Sequence, residues 1–158
     1  MAFASGSGVR VAAIAETAFG VTPATPAFQT IRSSNGGLRT QKSTGTSNER
    51  QADRNVRDEF ELGQDVTGSY DFELTYGTFD FLLEGLMFGA WDNDVLKNGI
   101  TPKSFTFEET YEMGATDVFR RFAGCMINTM SLSIGARAAI TGSFGIMGRA
   151  ETVAEAIV

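Results

Sequence analysis

The 158-residue sequence predicts a mainly β protein with a single apolar helix. Three observations lead there. From Gln64 to Leu74 the residues alternate: Val66, Tyr70, Phe72 and Leu74 on one side, Asp65, Thr67, Ser69, Asp71 and Glu73 on the other. That period of two belongs to a strand with one buried and one wet, acidic face. From Phe79 the spacing turns helical, with Phe79, Leu82, Leu83, Leu86 and Met87 sharing a face. Further alternating runs follow at 103–113, 125–134 and 138–148, and no second convincing helical pattern accompanies them.

Residues 1–8 are small and Gly/Ser-rich and read as a flexible N-terminal arm. The main domain is expected over 9–148. It opens with a short strand at Val9–Glu16, carrying Val9, Val11 and Ala13 on one side. Gly20, Pro23 and Pro26 make Thr17–Pro26 a loop. Ala27–Ser33 and Leu38–Ser43 read as two strands joined at Asn35-Gly36-Gly37, a hairpin-type turn signal. Residues 44–61 form a long polar loop containing Glu49, Arg50, Asp53, Arg54 and Arg57, either a solvated loop or an arm that orders against a partner.

The helix is expected over 78–89, with Thr78 as its cap, Gly89 as its stop, and Phe81 and Phe88 as a second apolar stripe. Asp92 and Asp94 lack the Gly and distal Glu of an EF-hand loop, so Trp91–Asp94 reads as a turn. In Lys103–Met113, Phe105, Phe107 and Tyr111 oppose Thr106, Glu108, Thr110 and Glu112. Val118–Ala123 is a shorter strand, and Gly124 is a candidate bulge. Cys125–Ile134 is expected to turn Met126, Met130, Leu132 and Ile134 inward. In Ala138–Gly148, Ile140, Phe144 and Ile146 face in against small residues. Residues 149–158 read as a C-terminal arm that folds onto a neighbour or frays.

Composition and motifs narrow the chemistry. The net charge is −6, which disfavours a basic grip on nucleic acid. No apolar run is long enough to span a bilayer, so no membrane insertion is expected. Met1–Gly6 lacks the basic start and apolar core of a secretory leader. Cys125 is the lone cysteine and histidine is absent, which removes an internal disulfide, a Ser-His-Asp arrangement and most zinc sites. Glu108 and Glu109 are strand neighbours pointing to opposite faces and cannot converge on one substrate. The glycines of Gly142–Gly148 are wrongly spaced for a dinucleotide loop. No catalytic, cofactor-binding or metal residues are expected, and the protein reads as a non-enzyme.

Several stretches together resemble one family, the tail tube proteins of long-tailed, non-contractile bacteriophages. They are Ala15–Gly20 with Pro23, Ser47–Arg50 with Asp53–Val56, Gly68–Tyr70 leading to Glu73-Leu74, Gly77–Leu83, Gly124–Ser133, and Thr141–Phe144 with Met147-Gly148. The resemblance implies a β-sandwich or barrel flanked by one helix. It implies six copies in a ring and rings stacked into a hollow tube that conducts double-stranded DNA from capsid to host cell. The implied partners are further copies of the chain, a tape measure protein, a tail terminator and distal tail or baseplate proteins. The implied location is the virion tail, after assembly in the bacterial host cytoplasm. A phage-derived particle, such as a gene transfer agent or a secretion-like tube, is the alternative setting. A β-barrel holding a small apolar ligand is a competing reading, opposed by a helix that would fill its interior.

Within that picture, Glu49, Arg50, Asp53, Arg54 and Arg57 are candidates for bridging rings. The lumen needs a polar strand face that does not hold phosphates. Asp65, Asp71 and Glu73 on one strand, and Thr129, Ser131, Ser133, Thr141 and Ser143 on the last pair, are the candidates.

Overall fold

The computed structural model describes residues 8–47, 59–113 and 116–155. The elements in chain order are β1 (Val9–Ala15), β2 (Gln29–Ile31), β3 (Ser33–Thr46), β4 (Glu59–Glu73), α1 (Asp80–Met87), β5 (Trp91–Asp92), β6 (Val95–Leu96), β7 (Phe105–Tyr111), β8 (Val118–Ser133), β9 (Thr141–Gly148) and β10 (Ala150–Ala154). The fold is mainly β, antiparallel throughout, with one helix.

Apart from the small β5–β6 hairpin, the strands follow one path, β2-β1-β7-β8-β9-β4-β3, with β10 on the far side of β8. β8 is long enough to serve two layers. Its first half, Val118–Cys125, pairs with β7, and Phe119–Ala123 also pairs with β10. Its second half, Met126–Ser133, pairs with β9. Between them stands Gly124 at φ +66, a left-handed conformation suited to glycine, where the strand turns from one layer into the other. The layers meet through aromatic rings: Tyr70 of β4 stacks on Phe107 of β7 at 5.7 Å.

Phenylalanine fills the interior. Phe72 lies 4.6 Å from both Phe79 and Phe144, and Phe105 packs against Phe81 at 5.8 Å and Phe107 at 6.4 Å. Each fully buried ring of this kind contributes about 1.5–3 kcal/mol relative to exposure. These rings occupy the space a small-ligand barrel would need to leave open. Helix α1 packs on β8, with Leu82 and Gly85 buried. A Cβ at Gly85 would stand 2.4 Å from the Phe105 ring, so glycine sets how closely the helix approaches. Phe79 and Leu82 are in the core; Leu83 and Leu86 are half-buried against it, and Met87 is half-buried.

Several local expectations are corrected. Asn35-Gly36-Gly37 is not a hairpin turn but the interior of β3, paired with Asp71, Tyr70 and Ser69. Gly36 takes φ +107, and a Cβ there would lie 2.1 Å from the Ser69 carbonyl oxygen. The glycines serve a strand irregularity and a close backbone approach, not a reversal. The loop expected at 44–61 begins and ends as strand, Thr44–Thr46 pairing with Glu61–Glu59. The helix spans Asp80–Met87 rather than 78–89. Phe79, not Thr78, is its N-cap, with no side-chain bond; Asp80 in the first turn supplies the favourable charge instead. It stops at Phe88 in the left-handed region, where the Gly89 N–H reaches the Glu84 carbonyl at 3.2 Å.

The strands expected at 118–123 and 125–134 are one strand. A bulge at Asn128, between the pairs Ile127↔Ile146 and Thr129↔Gly145, switches which residues face in. Cys125 and Ile127 are therefore buried, and Met130 is half-buried, whereas Leu132 and Ile134 are exposed. Val9 and Leu74, expected to face inward, are also exposed. Residues 150–154 of the expected C-terminal arm form β10 on the chain's own β8. Asn93 and Asp94, both at positive φ, make the turn between β5 and β6.

Candidate functional site

The layer formed by β3, β4, β9 and the second half of β8 carries the candidate surface. Residues directly opposite in an antiparallel sheet share a face. Asp71 faces Ser143 and Asn35, and Ser143 faces Ser131. Glu73 faces Thr141, which faces Ser133. Ser69 faces Gly145 and Gly37, and Gly145 faces Thr129. Thr67 faces Arg39 and Met147, and Asp65 faces Gln41. The two strand faces considered separately in the sequence are thus one surface. Asp65, Asp71, Glu73, Thr129, Ser131, Ser133, Thr141 and Ser143 all lie on it, away from the core rows Val66, Tyr70, Phe72, Phe144 and Ile146. Its paired positions hold three carboxylates and one guanidinium, that of Arg39, among hydroxyls and glycines.

At one end β3 and β4 outrun the layer. β4 pairs with β9 only from Val66 onward, so 41–46 and 59–65 form a two-stranded ribbon without a third strand. Lys42 pairs with Glu61 at 3.2 Å across it, both exposed. Glu49, Arg50, Asp53, Arg54 and Arg57 lie outside the described residues.

Behind the polar face runs a buried network that sequence reasoning missed. Glu109 is buried on β7 between Phe107 and Tyr111. One of its oxygens accepts the Leu38 N–H at 3.0 Å and the Tyr70 O–H at 2.7 Å; the other accepts Tyr111 O–H at 2.7 Å and Arg120 Nη1 at 3.3 Å. Arg120 also donates from Nε to Glu151 of β10 at 2.8 Å, and Glu151 accepts the Thr40 hydroxyl. The network ties the edge of β3 to the other layer. Burial and the neighbouring Glu109 push the Tyr70 hydroxyl pKa well up, and the same causes raise Tyr111. Burial works against the Arg120 charge, but its bonds to Glu151 and Tyr111 outweigh that and raise its pKa. Burial likewise pushes Glu151 up, yet the bonds from Arg120 and Thr40 hold it below the ordinary value.

Glu16 is a second hub. Its carboxylate accepts from Gly20 N–H, Ser104 O–H, Thr106 O–H and Gly124 N–H at 2.6–2.8 Å, pinning the 17–26 loop to the β8 bend. Glu108 is held separately by Arg121 at 2.7 Å. The one signal for these hubs was a glutamate inside an aromatic strand face, Phe105-x-Phe107-x-Glu109-x-Tyr111. Burial pushes the Cys125 thiol up to about 12, with the Glu16 charge adding to it, so it is no nucleophile. Among the described residues no cluster of three or more metal-ligating side chains forms, and no helix is long and apolar enough to cross a membrane.

Residues 6–157 match the family described as phage tail tube protein. The chain belongs to that family. It is accordingly a structural protein, a tail tube subunit of a phage or phage-derived particle, and not an enzyme. No curated protein matches the chain. Solved structures share its fold. The SPP1 tail tube is 13% identical with a TM-score of 0.64, over 98% of this chain and 81% of that one. The anti-feeding prophage tube-terminating cap is 12% identical with a TM-score of 0.59, over 99% and 93%. The tail of an empty GTA particle, refined with C6 symmetry, is 9% identical with a TM-score of 0.56, over 97% and 98%. The tail tube fold thus explains the absence of a catalytic constellation: what this subunit presents is a smooth polar sheet and a projecting ribbon.

Proposed function

We propose that this chain is the major tail tube subunit, that six copies close into a ring, and that stacked rings enclose a lumen conducting double-stranded DNA. The observation that carries the reading is the single polar face of β3-β4-β9-β8. It collects all eight lumen candidates and sets three carboxylates against one guanidinium. Repeated around a ring, that face makes a negative collar on which a polyanion does not settle. The layer also ends in two strands, β3 and the second half of β8, against which neighbouring copies pack. The C6 symmetry of the GTA tail supports sixfold closure. The ribbon and the 44–61 segment, with Glu49, Arg50, Asp53, Arg54 and Arg57, bridge successive rings. A tape measure protein inside, and terminator and distal tail or baseplate proteins at the ends, complete the virion tail after assembly in the bacterial cytoplasm.

The test is charge reversal of Asp71 and Glu73 to Lys. Both are strand positions on the polar face, so tubes should still assemble. DNA delivery should slow, and added salt should relieve the defect by screening. Unchanged delivery through well-formed tubes would place this face elsewhere.

A further inference from the structure

The face of β4 that packs the core runs past the core at both ends. At the ribbon end it exposes Phe60 and Leu62, the latter 66% accessible. At the opposite end it exposes Leu74, with Leu132 and Ile134 of the β8 terminus beside it. The Leu74 N–H bonds to the Ile140 carbonyl at 2.8 Å, and Ser133 pairs with Thr141, so these apolar residues converge where β4, β8 and β9 end. Ile134 is 73% accessible. Apolar groups gathered in this way at two ends of one sheet mark contact surfaces.

We propose that the two patches dock onto each other between copies: Phe60 and Leu62 of one subunit's ribbon cover Leu74, Leu132 and Ile134 of a subunit in the next ring. The inference rests on the tube reading above. Three features select a second copy as the occupant. The patches lie on the same side of the same strand at opposite ends, so a shift along the strand brings one over the other. Such a contact joins unlike surfaces and leaves one of each free, which propagates a filament instead of closing a dimer. The rims carry opposite charge. Glu59 and Glu61 flank Phe60, and Arg137 follows Ile134; among the described residues neither Glu59 nor Arg137 has an ion-pair partner. Finally, an isolated two-stranded ribbon is marginal in water, and a covering surface stabilises it.

The test mixes two full-length variants, Leu62→Cys and Ile134→Cys, under assembly conditions and then oxidises them. Buried Cys125 keeps the parent silent. The expected result is a covalent dimer in the mixture and none from either variant alone. In parallel, Phe60→Ser/Leu62→Ser and Leu132→Ser/Ile134→Ser should each remain folded by circular dichroism, yet give rings without tubes. Mixed together, they should give two-ring stacks that grow no further, because only one productive pairing of ends survives. Tubes that form from the cysteine variants without the mixed dimer, or a dimer from Leu62→Cys alone, would overturn the docking while leaving the tube reading intact. A parent chain that forms no rings or tubes would overturn the tube reading, and the docking with it.

Discussion

Replacing Glu109 by Ala removes the acceptor for four donors at once. Two of these, the Leu38 N–H and the Tyr70 O–H, belong to residues that are almost wholly buried. A buried donor left without a partner costs about 1–3 kcal/mol. The two together therefore cost about 2–6 kcal/mol. Tyr111 and Arg120 are less enclosed, and Arg120 keeps Glu151, so their share is smaller. Against a typical stability of about 5–15 kcal/mol this is a large fraction. At about 2–4 °C per kcal/mol for a chain of this size, the melting temperature falls by on the order of 10 °C. The assay is a thermal and urea melt under dispersed conditions, with sedimentation confirming that the oligomeric state is unchanged. Tyr70→Phe sharpens it. In the parent it removes one bond to a buried carboxylate and costs about 1 kcal/mol. Beside Glu109→Ala it removes an orphaned hydroxyl and becomes neutral or stabilising. A Glu109→Ala protein that melts with the parent, or a Tyr70→Phe effect of the same size in both backgrounds, would refute the network as the tie between the layers.

Leu82→Ala should cost about 2–5 kcal/mol because the side chain is buried, and Leu83→Ala and Leu86→Ala less because theirs are half-buried; thermal melts rank the three. Gly85→Ala drives a methyl into the Phe105 ring and should destabilise by about 1–3 kcal/mol in a urea titration, despite alanine's better helix propensity. Acid should weaken the fold through Glu84 and Glu151. The bond to Lys103 is the main cause holding Glu84 below its ordinary value of 4.5, and Glu151 is also held below that value. The stabilisation from such depressed carboxyls is complete above about pH 4.5 and is lost as pH falls through their folded-state values. Glu151→Gln should flatten that acid limb in stability measured against pH.

The wet face of β4 was legible because alternation is set by strand geometry alone, and the helix because its apolar spacing is unambiguous. The polar surface was legible in its members but not in its unity, since opposition of Asp71 to Ser143 and Ser131 is a matter of register. Register was lost at two places where the backbone departs from regularity. Asn128 adds a residue and inverts the expected facing of everything before Met130. Asn35-Gly36-Gly37 carries a hairpin's composition inside a strand, because glycine serves a close backbone contact as well as a reversal. Glu109 and Glu16 were invisible as hubs: their partners come from positions far along the chain, and only the folded layers bring them together.

The passage of β8 through both layers has a mechanical consequence. A load on the polar sheet travels into the other layer along an unbroken peptide backbone, rather than only through side chains that can slip past one another. Relative sliding of the layers must bend β8 at Gly124. That joint is clamped from one side by the Glu16 carboxylate on the Gly124 N–H and from the other by the Arg149 N–H on the Ala123 carbonyl. The subunit therefore deforms as one stiff body, and whatever flexing its assembly shows is concentrated at the contacts between copies.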